Sequence, residues 1–298
     1  MRSLVDISLV ARFELARALR TWRALALTIL YVIALSGSTY IYVRIIWFIE
    51  AGIAEGLAVP VNDKPGAMMS ELMENGELRR MLGDMSGNAG AVDYLMTWPL
   101  LATWGLWIGL LLLPFLAASA ASECISIDMN SRALRFEALR TGRSELVLGR
   151  FLGQVMLTGT AACAGLAGAW VVGLTQMVGN EPVALAHGLA ALGLRAWFFG
   201  LPFIGFGVAC SQWTLSANWA RVLAVGGTAG SWICYGLARA FRDSSWGWLS
   251  DLVLQLLPQG WMNSLWTPRE WLWSAAVYVG LSLFAVALGF VRFSGRDL

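Results

Sequence analysis

Six apolar stretches of this sequence contain no Asp, Glu, Lys or Arg: Ala24–Val43, Tyr94–Ser122, Phe151–Asn180, Ala196–Ala220, Val222–Ala238 and Trp271–Val291. A helix rises about 1.5 Å per residue, so each stretch is close to the length that carries a helix across a hydrocarbon layer of about 30 Å. The chain therefore reads as an all-α integral membrane protein with six transmembrane helices. The spans are expected at 24–49, 94–121, 151–179, 183–212, 221–241 and 271–291 of a single transmembrane domain covering 1–298.

Composition closes off the main alternative. Of 298 residues, 58% are hydrophobic and 13% charged, with a mean hydropathy of +0.64. A soluble enzyme needs about twice that charged fraction to cover its surface. The first window follows an arginine-bearing segment, 1–23, and no small-residue cleavage site comes after it. It is expected to stay as the first span rather than be removed as a leader.

With both ends on one side, the charges sort. Segments 1–23, 122–150 and 292–298, with Arg221, hold thirteen of the 21 basic and seven of the 19 acidic residues, a net +6 that leaves −4 on the other face. Basic connections stay in the cytoplasm, so both termini are expected there, in a multi-pass protein of the inner (cytoplasmic) membrane.

The connections have characters of their own. In 1–23, Leu4, Ile7, Ala11, Leu15, Ala18 and Trp22 form one stripe of an amphipathic helix, whose arginines suit anionic lipid headgroups or a protein partner. In the external connection 50–93, Met69, Leu72, Met73, Leu78, Met81, Leu82 and Met85 recur at helical spacing, which predicts short surface helices. Thioethers are soft ligands, but no His or Cys joins them, so no metal site is expected. In 242–270, Trp246, Trp248, Trp261 and Trp266 surround the apolar run Leu249–Leu257, which Pro258 ends. That run is too short to span and predicts a re-entrant or interface-lying helix with an aromatic belt.

Connection 122–150 carries the most information. Ser131–Leu139 has a helical pattern, charges crowd it, and Thr141-Gly142 stops it. A short charged helix outside the membrane is built either to be solvated or to dock, and the pattern alone admits both.

This loop resembles the first cytosolic loop of ABC type-2 exporter permeases. Their pattern runs from an acid through Gly-Thr-Leu and Pro-x-x-Arg to a Gly-Lys-apolar-apolar ending. Here Asp128 stands for the acid, Ser131-Arg132-Ala133 for Gly-Thr-Leu, Arg140-Thr141-Gly142-Arg143 for Pro-x-x-Arg, and Gly149-Arg150-Phe151-Leu152 for the ending. Glu14 before span one, the six-span layout and the Arg296-Asp297-Leu298 tail fit the same family. The resemblance implies a permease subunit of an ATP-binding-cassette exporter that pairs with a second copy or a paralogue and is driven by a separate cytosolic ATPase. It also implies that Arg132, Arg135, Phe136, Glu137, Leu139, Arg140 and Arg143 form the ATPase-coupling surface, with the N-terminal helix as a second contact. No cofactor is expected in the chain itself; ATP and Mg belong to the partner. A phosphate-cradling loop needs Gly-x-x-x-x-Gly-Lys-Ser/Thr, and the single lysine, Lys64, precedes Pro65. Lipid is expected as a partner and nucleic acid is not.

Within the spans, Ala161, Gly165 and Ala169, and Gly226 and Gly230, form small-residue seams for close helix packing, a dimer seam among the uses open to them. Pro202 amid Phe198, Phe199, Phe203 and Phe206 predicts a bent helix with an aromatic wall, and Arg195, Phe199 and Phe203 are candidate pathway residues. Arg195 is an interface arginine if 182–194 lies on the surface, and an intramembrane one if the helix begins at Pro182. Two other classes stay in view. A membrane-embedded enzyme lacks acids or histidines deep in the windows, so catalysis is not expected. A non-transporting scaffold that anchors an ATPase would share every feature above.

Overall fold

The computed structural model describes residues 2–57, 63–66, 89–131, 133–138, 140–179, 181–267 and 270–295. Every regular element among them is helical. In chain order these are α1 (Arg2–Arg20), α2 (Trp22–Leu57), α3 (Ala89–Met96), α4 (Leu100–Ala121), α5 (Ser126–Asn130), α6 (Leu134–Ala138), α7 (Arg143–Gln176), α8 (Pro182–Trp213), α9 (Ala217–Ala240), α10 (Gly247–Leu256), a 3-10 segment Pro258–Trp266, and α11 (Trp271–Ser294). The methionine cluster at 69–85 and the Arg296-Asp297-Leu298 tail lie outside the described residues.

Five segments are long and apolar enough to cross a membrane: Ala24–Gly56, Leu100–Asn130, Arg143–Gln176, Pro182–Trp213 and Trp271–Ser294. The architecture is thus an all-helical, multi-pass one. Helix α9, at 24 residues, has the length to span. Its glycines and Arg221 leave it less apolar than the five.

Local chemistry sets the boundaries. The second window holds two helices, because Pro99 has no N–H to donate and disfavours helix at the residue before it, so α3 stops at Met96 and α4 restarts at Leu100. Helix α7 begins at Arg143, well before its apolar stretch, after an extended Gly142 and with Glu145 in a first turn where a negative charge suits the helix dipole. Helix α8 starts with Pro182 in its first turn, where the missing N–H costs nothing, and runs unbroken to Trp213. Arg195 therefore sits 13 residues into a continuous helix. The ten-residue α10 and the 3-10 segment fill the Trp-rich connection.

Helix α8 is the central post. It packs most extensively on α4 and α11, with further faces on α7 and α9, while α1 and α2 lie against α7. Burial follows: 67% of the apolar window of α8 is buried against 17% for α2. The seam Ala161, Gly165 and Ala169 is buried, and Gly165 stands against Tyr31 and Leu35 of α2, so the seam serves packing within one chain. Gly226 and Gly230 of α9 have open space beside them.

At the end of the bundle away from α1, polar clips hold the connections. Glu50 of α2 accepts the Gly66 N–H at 3.0 and 3.1 Å, and Val178 donates its N–H to the Pro65 carbonyl at 3.0 Å. Arg195 is buried and donates to the Leu265 carbonyl at 2.9 Å and the Tyr94 hydroxyl at 2.6 Å. Its guanidinium centre also lies 4.8 Å from the Tyr94 ring and 5.5 Å from that of Trp271. It straps α8 to α3 and to the 3-10 segment.

Candidate functional site

The connection between α4 and α7 folds back onto the bundle. Ile125 and Leu134 are fully enclosed, at 0% and 1% exposure, which anchors both halves of the loop. The Ser211 hydroxyl of α8 accepts the N–H groups of Ile125 and Ser126 at 2.8 and 2.9 Å, satisfying donors at the start of α5 that no helical carbonyl could reach. Arg221 of α9 pairs with Glu123.

Beneath the loop lies an ionic cluster assembled from four elements, α1, α5, α6 and α7. Arg150, two turns into α7, is 2% exposed and reaches Asp128 at 2.6 Å, Glu137 at 2.5 Å and the Cys124 carbonyl. Arg17 of α1 grips the same Asp128 with both of its terminal nitrogens, at 2.7 and 2.9 Å. Such a two-pronged pair fixes orientation as well as distance. Its bonds to Asp128 hold the Arg17 guanidinium still more firmly in the charged form, although burial works against this. Glu14, one turn earlier on α1, accepts the Gln154 side-chain amide at 3.2 Å and lies 3.9 Å from Arg17.

Close backbone approach makes the cluster reachable. A Cβ on Gly149 would stand 2.6 Å from the Val10 Cβ and 3.0 Å from the Ile7 carbonyl, and one on Gly153 would stand 2.8 Å from the Glu14 Cβ. Two glycines four residues apart thus cut the groove in α7 in which α1 rests. In Gly149-Arg150 the glycine admits α1 and the arginine binds the loop.

Burial pushes the Glu14 carboxyl above its ordinary value, and the charges of Arg150 and Arg17 only partly oppose this. The folded protein therefore holds this proton more tightly than the unfolded chain. The associated stability is full below the ordinary value of 4.5 and is lost as pH rises through the raised one. Glu14→Gln, neutral throughout, should melt above the native protein at neutral pH, with the gap closing as the solution is acidified. A gap that stays constant across a detergent thermal-shift series would show that Glu14 carries no such cost.

The structure separates the residues of the implied coupling surface. Phe136 is 73% exposed and Arg140 is exposed, so these two face outward. Glu137 turns toward Arg150, because a carboxylate within reach of an enclosed guanidinium is held there, although its side chain stays partly exposed. Arg143 turns toward the end of α11, donating to the Ser294 carbonyl at 2.7 Å. Arg132 and Leu139 lie outside the described residues, as does the side chain of Arg135. Glu14, Asp128 and Arg150 entered the sequence argument only as positions of a motif or layout and Arg17 only among the arginines of the first segment, none with a partner, while Gln154 and Ser211 did not enter it; the Gly149-Arg150 pair that closes the charged loop was the available signal.

The candidate pathway residues are interior. Phe199 is fully buried among Phe203, Tyr278 and Trp232, with ring centres 5.6, 5.6 and 6.2 Å away. Phe203 borders an apolar cavity of about 530 Å³ between α8, α9, α10 and α11.

The sequence pattern that describes the ABC-2 family transporter protein matches residues 9–298, from within α1 to the end of the chain. The chain belongs to the ABC-2 family. No curated protein matches it. ABC-2 family permeases generally work with a cytosolic ABC ATPase. In this ABC-2 protein, the outward Phe136 and Arg140 stand on a loop whose inner side is bound to α1, α7 and α8.

Proposed function

We propose that this ABC-2 protein is the membrane-spanning permease subunit of an exporter, and that Phe136 and Arg140 are the surface on which a cytosolic ATPase docks. ATP and Mg are bound and hydrolysed by that partner. Helix α9 serves as a sixth span, both termini lie in the cytoplasm beside the loop, and a second copy or a paralogue completes the pathway in the inner membrane. The observation that carries this reading is an exposed aromatic and an exposed cation beside a charge clamp. Exposing a large ring at the tip of a polar loop makes sense when a partner covers it, and aromatic and arginine side chains dominate the energy of protein interfaces.

The test is assembly. Phe136→Ala with Arg140→Glu should leave expression near normal and weaken co-purification with the cytosolic ATPase by roughly 30-fold or more, the effect of losing about 2 kcal/mol at a hot spot. Arg2→Ala is the control and should change little. Full ATPase association by the double variant would turn the loop into a solvated connector. A complex that assembles normally but whose ATPase activity responds to no transported molecule would point to a scaffold. Orientation has its own check: cysteines placed at 63–66 should react with an impermeant reagent from outside the cell, and reaction only from the cytoplasm would invert the topology.

A further inference from the structure

Arg150 is shared by two carboxylates that differ in freedom. The Asp128 side chain is 8% exposed and is gripped a second time by Arg17. The Glu137 side chain is 38% exposed and stands on α6, a five-residue helix that meets the bundle chiefly along α7. The same helix carries the outward Phe136, and Arg140 follows it by two residues. Arg150 cannot follow an outward movement of α6, because its guanidinium is enclosed and also donates to the Cys124 carbonyl. Leu134 at the start of α6 is held in the core, so a pull on Phe136 tips the far end of α6 outward about that anchor, opening the Arg150–Glu137 contact and leaving the Arg150–Asp128–Arg17 chain in place.

We propose that Arg150 is a positioning residue that reports the place of α6 to α1, with Glu137 as the releasable arm. When Glu137 is engaged, the guanidinium divides its donors between two acids. When Glu137 is withdrawn, Asp128 receives them alone, and its hold on Arg17 and on the α1 groove at Gly149 changes accordingly. Movement of the loop thus reaches the amphipathic helix through a chain of charges. The proposal rests on the docking reading above and deepens it.

Hydrogen exchange on the intact complex with the cytosolic ATPase, reconstituted in lipid nanodiscs, tests it. Backbone amides of residues 2–20 and 126–138 are followed with and without a non-hydrolysable ATP analogue. In the native complex both segments should change on adding the analogue. In Glu137→Gln, which keeps the shape of the side chain and removes its charge, the change in 126–138 should persist while that in 2–20 is lost. Arg150→Lys keeps the cation without the fork that serves two carboxylates, and should behave as Glu137→Gln does. A purely structural role for the pair would lower stability in both variants without separating the two segments' responses. A response of 2–20 that survives in either variant overturns the proposal. So does failure of both variants to assemble, which would make the pair a static clamp. If 126–138 does not respond in the native complex, the docking reading itself falls.

Discussion

Arg150→Ala is expected to yield a protein that inserts but does not hold its fold. The substitution leaves Asp128, itself buried, and the Cys124 carbonyl facing the space of a lost cation. Removing one member of a buried ion pair costs up to about 3–5 kcal/mol, and although Arg17 still holds Asp128, its grip faces only one side of a carboxylate that stays desolvated. Against a net stability of about 5–15 kcal/mol that is a large fraction. Thermal unfolding in detergent should show a markedly lower midpoint and an aggregated pool on size exclusion. Arg140→Ala, on the exposed side of the same loop, should stay within about 0.5 kcal/mol of the native protein. An Arg150→Ala protein that melts with the native one would mean that the guanidinium binds nothing of consequence.

Gly149→Leu should have the second largest effect, and a local one. Its first side-chain carbon would already overlap Val10 of α1, and the isobutyl group has nowhere to go between two helix backbones. Overpacking of this kind costs about 1–3 kcal/mol, which here is most simply relieved by α1 leaving its groove. Residues 2–20 should then lose their protection from hydrogen exchange while α7 and α8 keep theirs. Equal protection of α1 in the variant would show that the groove accommodates a larger side chain at Gly149.

Much of the architecture can be read from hydropathy alone. Ala24–Val43 and Trp271–Val291 lie inside helices because nothing in them interrupts the apolar run, and α10 ends where Pro258 ends it. The ionic cluster is hidden for a physical reason. The charges of Ser131–Leu139 fix a helical pattern but not which side meets the bundle, and that choice is made by Arg150, thirteen residues past Glu137, and by Arg17, which pairs with an aspartate 111 residues away. No local rule connects such positions. The seam at Gly165 has the same ambiguity: small residues at four-residue spacing announce close packing without naming the partner, which proves to be α2.

The unequal enclosure of the spans bears on how freely each can vary. Helices α2 and α8 have nearly the same apolar character, with window hydropathies of 1.8 and 1.6, yet most of one faces outward and most of the other touches protein on every side. For α2, lipid accepts almost any apolar side chain, so its specification is loose and exchanges among Leu, Ile, Val and Phe should be tolerated at Ile29, Leu30, Ile33 and Ile41. For α8, shape matters at nearly every turn, since Leu192, Phe199, Ile204 and Val208 each fill a space bounded by a neighbour. A saturation library should therefore divide the two helices sharply although a hydropathy plot cannot, and α8 would hold most of the sequence information that makes this bundle one fold rather than a collection of spans.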